Sequence, residues 1–200
     1  MHLKRQEVPK SWPIPRKGKT FVVRPQSNLE KGIPLLIVLR DMLKIIQNRK
    51  EAKKIIHEGL IFLNTKIVKN EKTPTLLFDT LSIPVLKKHY RINLSDKGKF
   101  GVEEITEIDT TRKIAKIIGK KVLNGKKNQV NLSDGNNILA DLKCHLNDSV
   151  LINLKEKKIE KHIPLKEKTK VIVFGGKHSG ETGIIEGINT QMKMVELSIG

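Results

Sequence analysis

The chain of 200 residues contains a single cysteine, Cys144. That excludes a disulfide framework and any multi-cysteine zinc site, and it suits a reducing compartment. Aromatic residues make up only 4%, with one Trp and one Tyr, so the 38% hydrophobic content rests on Ile, Leu and Val. This is still too apolar for a disordered basic tail, and a folded protein is expected. Long apolar runs are missing: the longest, residues 33–39, is interrupted by Pro34 and is far shorter than the roughly 20 residues of a membrane-spanning helix. Met1-His2-Leu3-Lys4 does not open a signal peptide. The chain therefore reads as cytosolic, with no membrane partner. Acidic residues are also short, at 21 Asp and Glu against 39 Lys and Arg, which gives a net charge of +18. Such a surplus exceeds what solubility requires and points to a polyanionic partner, nucleic acid first.

Sites for chemistry are absent as well. A phosphate-binding loop ending in Gly-Lys-Ser/Thr fails, because Gly176-Lys177 is followed by His178 and Val171 stands where the first glycine belongs. His2, His57, His89, His145, His162 and His178 never fall four residues apart, so no helical zinc pair forms. Cys144 beside His145 reads as an ordinary buried or half-buried thiol, and Glu103-Glu104 and Asp109 as solvated carboxylates. No catalytic residue, metal, cofactor or small-molecule substrate is expected.

What the chain does have is enough length for one or two domains and a core that needs no covalent staple. Its charge is spread unevenly: residues 1–33, 34–90 and 91–168 each carry a net +6, and residues 169–200 carry none. Residues 1–33 are the most basic per residue, hold Pro9, Pro13, Pro15 and Pro25, and show no sustained period of 2 or 3.6. They read as an extended basic arm, mobile when free and ordered on nucleic acid. Lys4, Arg5, Lys10, Arg16, Lys17 and Lys19 would meet phosphates there, and Trp12 a base. A solvated floppy terminus is the plainer alternative.

From Ile33 the texture changes. Leu35, Val38, Leu39, Met42, Ile45 and Ile46 recur at helical spacing with Pro34 suited to a first turn, which predicts an amphipathic helix. Asn48 with Glu51 three residues on marks the start of a second helix, whose apolar face is Ala52, Ile55 and Ile56 and whose stop is Gly59. Its opposite face carries Arg49, Lys50, Lys53, Lys54 and His57 as one strip, with Lys44 nearby. A strip of this kind can line a phosphate backbone, although an isolated lysine face is more often simply solvated. A short strand at 60–63, a polar turn through Asn64, Thr65 and Lys66, and a second strand follow at once.

Beyond Pro84 strand-like stretches take over, at 89–94, 100–105, 129–132, 149–154 and 171–174, separated by turn chemistry at 96–99, Asn124-Gly125, 134–136 and Gly175-Gly176. Residues 111–122 fit a helix and a strand about equally. Near 169 the charge balances and glycine rises, which marks a last small β unit. In it, the hydrophobic stretch 171–174 enters a glycine-rich turn with Lys177 and His178 at its tip and Gly180 and Gly183 flanking the next strand. It fits either a tight hairpin or a nucleic-acid loop.

Taken together these segments resemble ribosomal protein S4e, a small-subunit ribosomal family of archaea and eukaryotes. His2-Leu3-Lys4-Arg5 followed by Pro9-Lys10-Ser11-Trp12 is similar to the family's N-terminal signature. Leu39-Arg40, Leu43-Lys44, Glu51-Ala52-Lys53-Lys54-Ile55-Ile56 and Gly59 resemble its helix-helix-hairpin RNA-binding module of αL type. Segments 96–100, 132–138 and 158–166 resemble its central β domain, and Gly175 to Gly183 resembles the KOW motif. Two positions differ from the family's habit: Ser27-Asn28-Leu29 replaces a Gly-Pro-His stretch, and Asn64-Thr65-Lys66-Ile67-Val68, with Lys69 after it, replaces Asp-Gly-Lys-Val-Arg. By Gly200 only about three barrel strands have been laid down, so either the C-terminus is short or something else finishes the barrel.

The resemblance implies an α+β, mostly β fold of four parts: a basic arm over 1–33, an αL-type module over 34–84, a central β domain over 85–168 and an SH3-like KOW barrel over 169–200. It implies a structural constituent of the small ribosomal subunit in the cytoplasm, with small-subunit ribosomal RNA and neighbouring ribosomal proteins as partners, and no enzyme activity. The RNA-binding residues it implies are the six basic residues of the arm with Trp12, then Arg40, Lys44, Arg49, Lys50, Lys53, Lys54, Lys66, Lys69, Lys177 and His178. The alternative is a non-ribosomal RNA-binding module, an RNA chaperone or elongation-type factor.

Overall fold

A computed structural model describes residues 2–27, 29–123, 128–140, 143–189 and 194–199. The expected turn at Asn124-Gly125 lies outside the described residues. The chain is mostly β with few helices, and it divides into two compact units, residues 1–111 and 112–200.

In the first unit, β1 (Leu3–Lys4) pairs with β2 (Phe21–Val22), and β3 (Gly32–Pro34) pairs with β6 (Pro74–Leu76). Between them in sequence lie α1 (Leu35–Ile37), α2 (Arg49–His57), β4 (Phe62–Leu63) and β5 (Lys66–Ile67). With β7 (Thr80–Ile83), β8 (Lys88–Leu94) and β9 (Phe100–Glu104), β4 and β5 form an antiparallel sheet of order β5-β4-β7-β8-β9.

The first predicted helix is shorter than its periodicity suggested and is not amphipathic. α1 passes into a wide π-type turn over Val38–Met42, and Leu35 to Leu39 are all buried, five consecutive residues on every side of the axis. A helix apolar all round is a core element, so the spacing of 35, 38 and 39 was only a sample of a continuous run. α2 matches its sequence signals. The Asn48 side chain accepts from the Glu51 N–H at 3.0 Å, and the Glu51 carboxylate accepts from the Gln47 N–H at 2.9 Å. Gly59, at φ +71°, turns the chain out of the helix in a conformation that side-chain-bearing residues rarely adopt.

The N-terminal segment is extended, as expected, but it is not a free arm. Leu3 and Trp12 are 3% and 2% exposed and belong to the same core cluster as Leu36, Ile56, Tyr90 and Phe100, with Val8, Ile14, Val22 and Val23 packed against it. The Phe100 N–H donates to the Ser11 carbonyl at 2.8 Å, and the Gln26 N–H to the Lys72 carbonyl at 3.1 Å. The apolar residues of this segment are too widely spaced to show a period, yet each finds a place on a core built by residues 33–102.

In the second unit, β10 (Arg112–Val122), β11 (Asn128–Leu132), β12 (Asn137–Leu139), β13 (Ser149–Asn153) and β14 (Lys158–Ile163) form an antiparallel sheet of order β12-β11-β10-β13-β14. Residues 111–122, open between helix and strand, are a strand from Arg112. Lys113, Ala115 and Ile117 point inward at period 2, while Ile114 and Ile118 are exposed, so the helix-like spacing of the isoleucines mixed two faces. β15 (Lys170–Ile172), β16 (Thr182–Asn189) and β17 (Met194–Ile199) make a separate three-stranded antiparallel sheet. Gly183 is needed there for close approach rather than for positive φ: a Cβ at that position would sit 2.7 Å from the Ser198 carbonyl oxygen. Cys144 is a buried free thiol.

Two carboxylates organise this unit. Asp134 pairs with Lys113 at 2.9 Å, with both side chains almost fully buried, and accepts from the Asn136 N–H. Asp148 Oδ1 accepts from the Leu165 N–H at 3.0 Å, and its Oδ2 accepts from the His145 N–H at 2.9 Å and lies 2.7 Å from His162 Nε2. Burial alone would raise both pKa values. It is outweighed by Lys113 and the Asn136 donors at Asp134, and by the Leu165 and His145 N–H groups with His162 at Asp148, so both are held below the ordinary Asp range.

Two outcomes follow from this packing. Trp12→Ala should destabilise the folded chain by about 3–5 kcal/mol, as for other buried aromatic truncations, read as an earlier thermal unfolding transition; an unchanged transition would return the segment to a free arm. A carboxylate with a depressed folded pKa stabilises above its unfolded value and loses that contribution as pH falls through the folded one. The melting temperatures of the unaltered chain and of Asp148→Asn should therefore differ most at neutral pH and converge below about pH 4, near the unfolded Asp value.

Candidate RNA interface

The strip anticipated on α2 exists. Arg49, Lys50, Lys53, Lys54 and His57 are all exposed, opposite the buried Ala52 and Ile56. Arg49 is partly committed: its Nε and Nη2 donate to Glu71 Oε1 at 3.1 and 2.7 Å. Glu71 is buried, which would raise its pKa, but the hydrogen bonds and charge of Arg49, with Lys53 beyond, bring it below the usual value. That pair fixes the start of α2 against the approach to β6. Lys50 and Lys54 form no ion pair among the described residues, and Lys53 touches no carboxylate there although its charge reaches Glu71, so the strip keeps most of its charge outward.

At the end of the following strand, Asn64 and Thr65 both adopt positive φ, at +49° and +65°, which makes the tight two-residue turn of the β4–β5 hairpin. The Asn64 side chain locks it, donating to Asp79 at 2.8 Å and accepting from the Thr80 N–H at 3.0 Å. Lys66 and Lys69 stand exposed beyond that turn. Lys44 is exposed at positive φ, whereas Arg40 is half-buried and donates twice to its neighbour Asp41. Arg40 is thereby largely neutralised by the fold.

In the N-terminal segment Lys4, Lys10, Arg16, Lys17 and Lys19 are exposed. Arg5 has a different job: its Nε donates to the Lys19 carbonyl at 2.8 Å and its Nη1 to the Pro15 carbonyl at 2.6 Å, a clasp on the loop that carries Arg16, Lys17 and Lys19. Trp12 cannot stack on a base, because its ring lies in the core. The aromatic this segment does display is Phe21, 60% exposed, which sequence reasoning passed over. The signal was the alternation around Leu3, which turns inward and leaves Lys4 and its cross-strand partner Phe21 outward. In the second unit Lys177 and His178 are exposed between β15 and β16, with His178 Nδ1 3.0 Å from Glu181. Among the described residues no three His, Cys, Asp or Glu side chains gather to hold a metal, and no helix is long and apolar enough to cross a membrane.

A two-unit, mostly β architecture of this kind has a solved counterpart. The crystal structure of the 30S ribosomal protein S4e from Thermoplasma acidophilum matches it with a TM-score of 0.73 at 24% identity, over 84% of this chain and 88% of that one. The sequence profile of ribosomal family S4e matches residues 86–159, and that of the RS4NT (NUC023) domain matches residues 1–27. The small ribosomal subunit protein eS4 of Methanocella arvoryzae is 40% identical over 190 residues, covering 94% of this chain and 80% of that protein. The protein of the same name from Archaeoglobus fulgidus is 38% identical over 188 residues, covering 93% and 79%. The chain belongs to the ribosomal S4e family.

Exchanging Lys50, Lys53 and Lys54 for Glu should weaken binding to a structured RNA and flatten its dependence on salt, by roughly one unit of log-log slope for each phosphate no longer neutralised. The fold should survive, since Ala52 and Ile56 are untouched. A folded triple variant with unchanged affinity and slope would make the strip a solvated face.

Proposed function

We propose that this chain is a structural constituent of the small ribosomal subunit, where it binds and organises ribosomal RNA. The observation that carries the reading is 40% identity to a small-subunit protein across 94% of the chain. The net charge of +18 supplies the physical counterpart, a surface that gains by displacing counterions from a phosphate backbone. The family is one of ribosomal structural proteins, not enzymes. The relatives do not favour the reading as a free RNA chaperone or elongation-type factor.

Within that role α1, α2 and the β4–β5 hairpin act as an αL-type RNA-binding module, a reading supported by the exposed cations of α2 and the rigid hairpin turn. The sheet of β15, β16 and β17 acts as a KOW-type unit presenting Lys177 and His178. The four-part division at 33, 84 and 168 describes functional segments and does not follow the two compact units: the segment 85–168 runs across their boundary at 111, and β7 and β8 pair across residue 84. Phosphate contacts fall to Lys4, Lys10, Arg16, Lys17, Lys19, Lys44, Lys50, Lys53, Lys54, Lys66, Lys69 and Lys177, with Arg49 and His178 reaching RNA from their internal carboxylate partners. Arg5 acts by holding its loop. The partners are small-subunit ribosomal RNA and adjoining small-subunit proteins, in the cytoplasm.

A tagged chain, expressed in cells and fractionated on a sucrose gradient, should sediment with small subunits and stay with them through a high-salt wash. Release to the top of the gradient would overturn the assignment.

A further inference from the structure

The β1–β2 ribbon presents an exposed aromatic ring, Phe21, that the phosphate-binding reading does not use. Pairing of Leu3 with Val22 and Lys4 with Phe21 places Lys4 and Phe21 on the outer face, while Leu3 turns into the core. His2, two residues before Lys4, shares that face, and its ring lies 5.4 Å from the Phe21 ring at an interplanar angle of 51°. A phenyl ring 60% exposed on a two-stranded ribbon leaves apolar area in water with no compensation inside the fold. The ribbon is held from behind by buried Leu3 and Trp12 and from the side by the Arg5 clasp, so the ring is presented on a fixed support. Lys4 on the ribbon and Arg16, Lys17 and Lys19 on the clasped loop are all exposed. Glu7, the nearby acid, is turned to the Lys4 N–H at 3.1 Å.

A flat aromatic face with cations beside it, fixed before binding, is complementary to a base that has left its helix, with the ring under the base and the ammonium groups on the flanking phosphates. We propose that Phe21, backed by His2, is a stacking site for an unpaired RNA base. This rests on the RNA-binding reading above and adds a ligand class to it: single-stranded rather than duplex RNA. Charge complementarity favours RNA over a protein segment, since on the ribbon and its clasped loop the exposed cations Lys4, Arg16, Lys17 and Lys19 outnumber the one acid, Glu7.

The test compares the full chain with Phe21→Ala and Phe21→Trp, using a labelled oligoadenylate and a blunt RNA duplex of the same length in anisotropy titrations. Phe21→Ala should weaken binding to oligoadenylate by roughly 5- to 150-fold, the range that removal of one base–aromatic stack implies. Duplex affinity should stay within about twofold with an unchanged salt slope, because every phosphate-binding cation is still in place. Phe21→Trp should restore the loss. The ring is exposed, so the melting temperature should not move, and an unmoved melt separates an absent stack from a damaged fold. Equal affinities of Phe21→Ala and the unaltered chain for oligoadenylate would overturn the stacking site while leaving RNA binding intact, as would equal losses on both RNAs. Retained RNA affinities with a shift from dimer to monomer in sedimentation would assign the patch to a second copy of the chain. Failure of the unaltered chain to bind either RNA would instead overturn the RNA-binding reading itself.

Discussion

A chain with a net charge of +18 must hold its cations close together in the folded state without neutralising them, and a few buried carboxylates bear that constraint. Glu71 anchors the head of α2 through Arg49, Asp134 closes a β hairpin onto Lys113, and Asp148 gathers two backbone N–H groups and His162. Each acid acts inward, on the scaffold. The lysines that face outward, Lys50, Lys53 and Lys54 among them, are left with their field intact. These three negative charges set geometry, and the outward lysines set the surface.

The same division explains the N-terminal segment. Its prolines prevent regular structure, but Leu3, Trp12, Val8 and Ile14 give it a buried side, and Arg5 ties its loop to backbone carbonyls. Ordering entropy that a free arm would have to recover from RNA, on the order of 1–2 kcal/mol per residue, is met instead by packing within the first unit. The exposed cations of that segment therefore approach a partner already arranged.

Features set by neighbours in sequence were legible in the sequence. The cap at Asn48 and Glu51, the stop at Gly59 and the strands β8, β9, β11, β13 and β15 depend on residues only a few positions apart, and the charge strip on α2 follows from its period. Features set by distant packing were not. Nothing local distinguishes Trp12 in a core from Trp12 on a base, and nothing local shows that Leu35 to Leu39 are enclosed on all sides. β10 was ambiguous because its outward isoleucines mimic a helical stripe, and the inward lysine at 113 hides the true alternation until Asp134 is seen to pair with it. At the candidate site, charge was readable from composition and position, while commitment of Arg5, Arg40 and Arg49 to internal partners required coordinates.

Lys113 has a consequence of another kind. Its side chain is 1% exposed, on a chain whose other amines largely face solvent. An amine-reactive label would mark the surface lysines within moments and pass over Lys113 for as long as its sheet stays closed. The tag on that one residue would then count openings of the second unit, a clock that runs in the folded protein, needs no substitution, and can be read by mass spectrometry whether the chain is free or assembled.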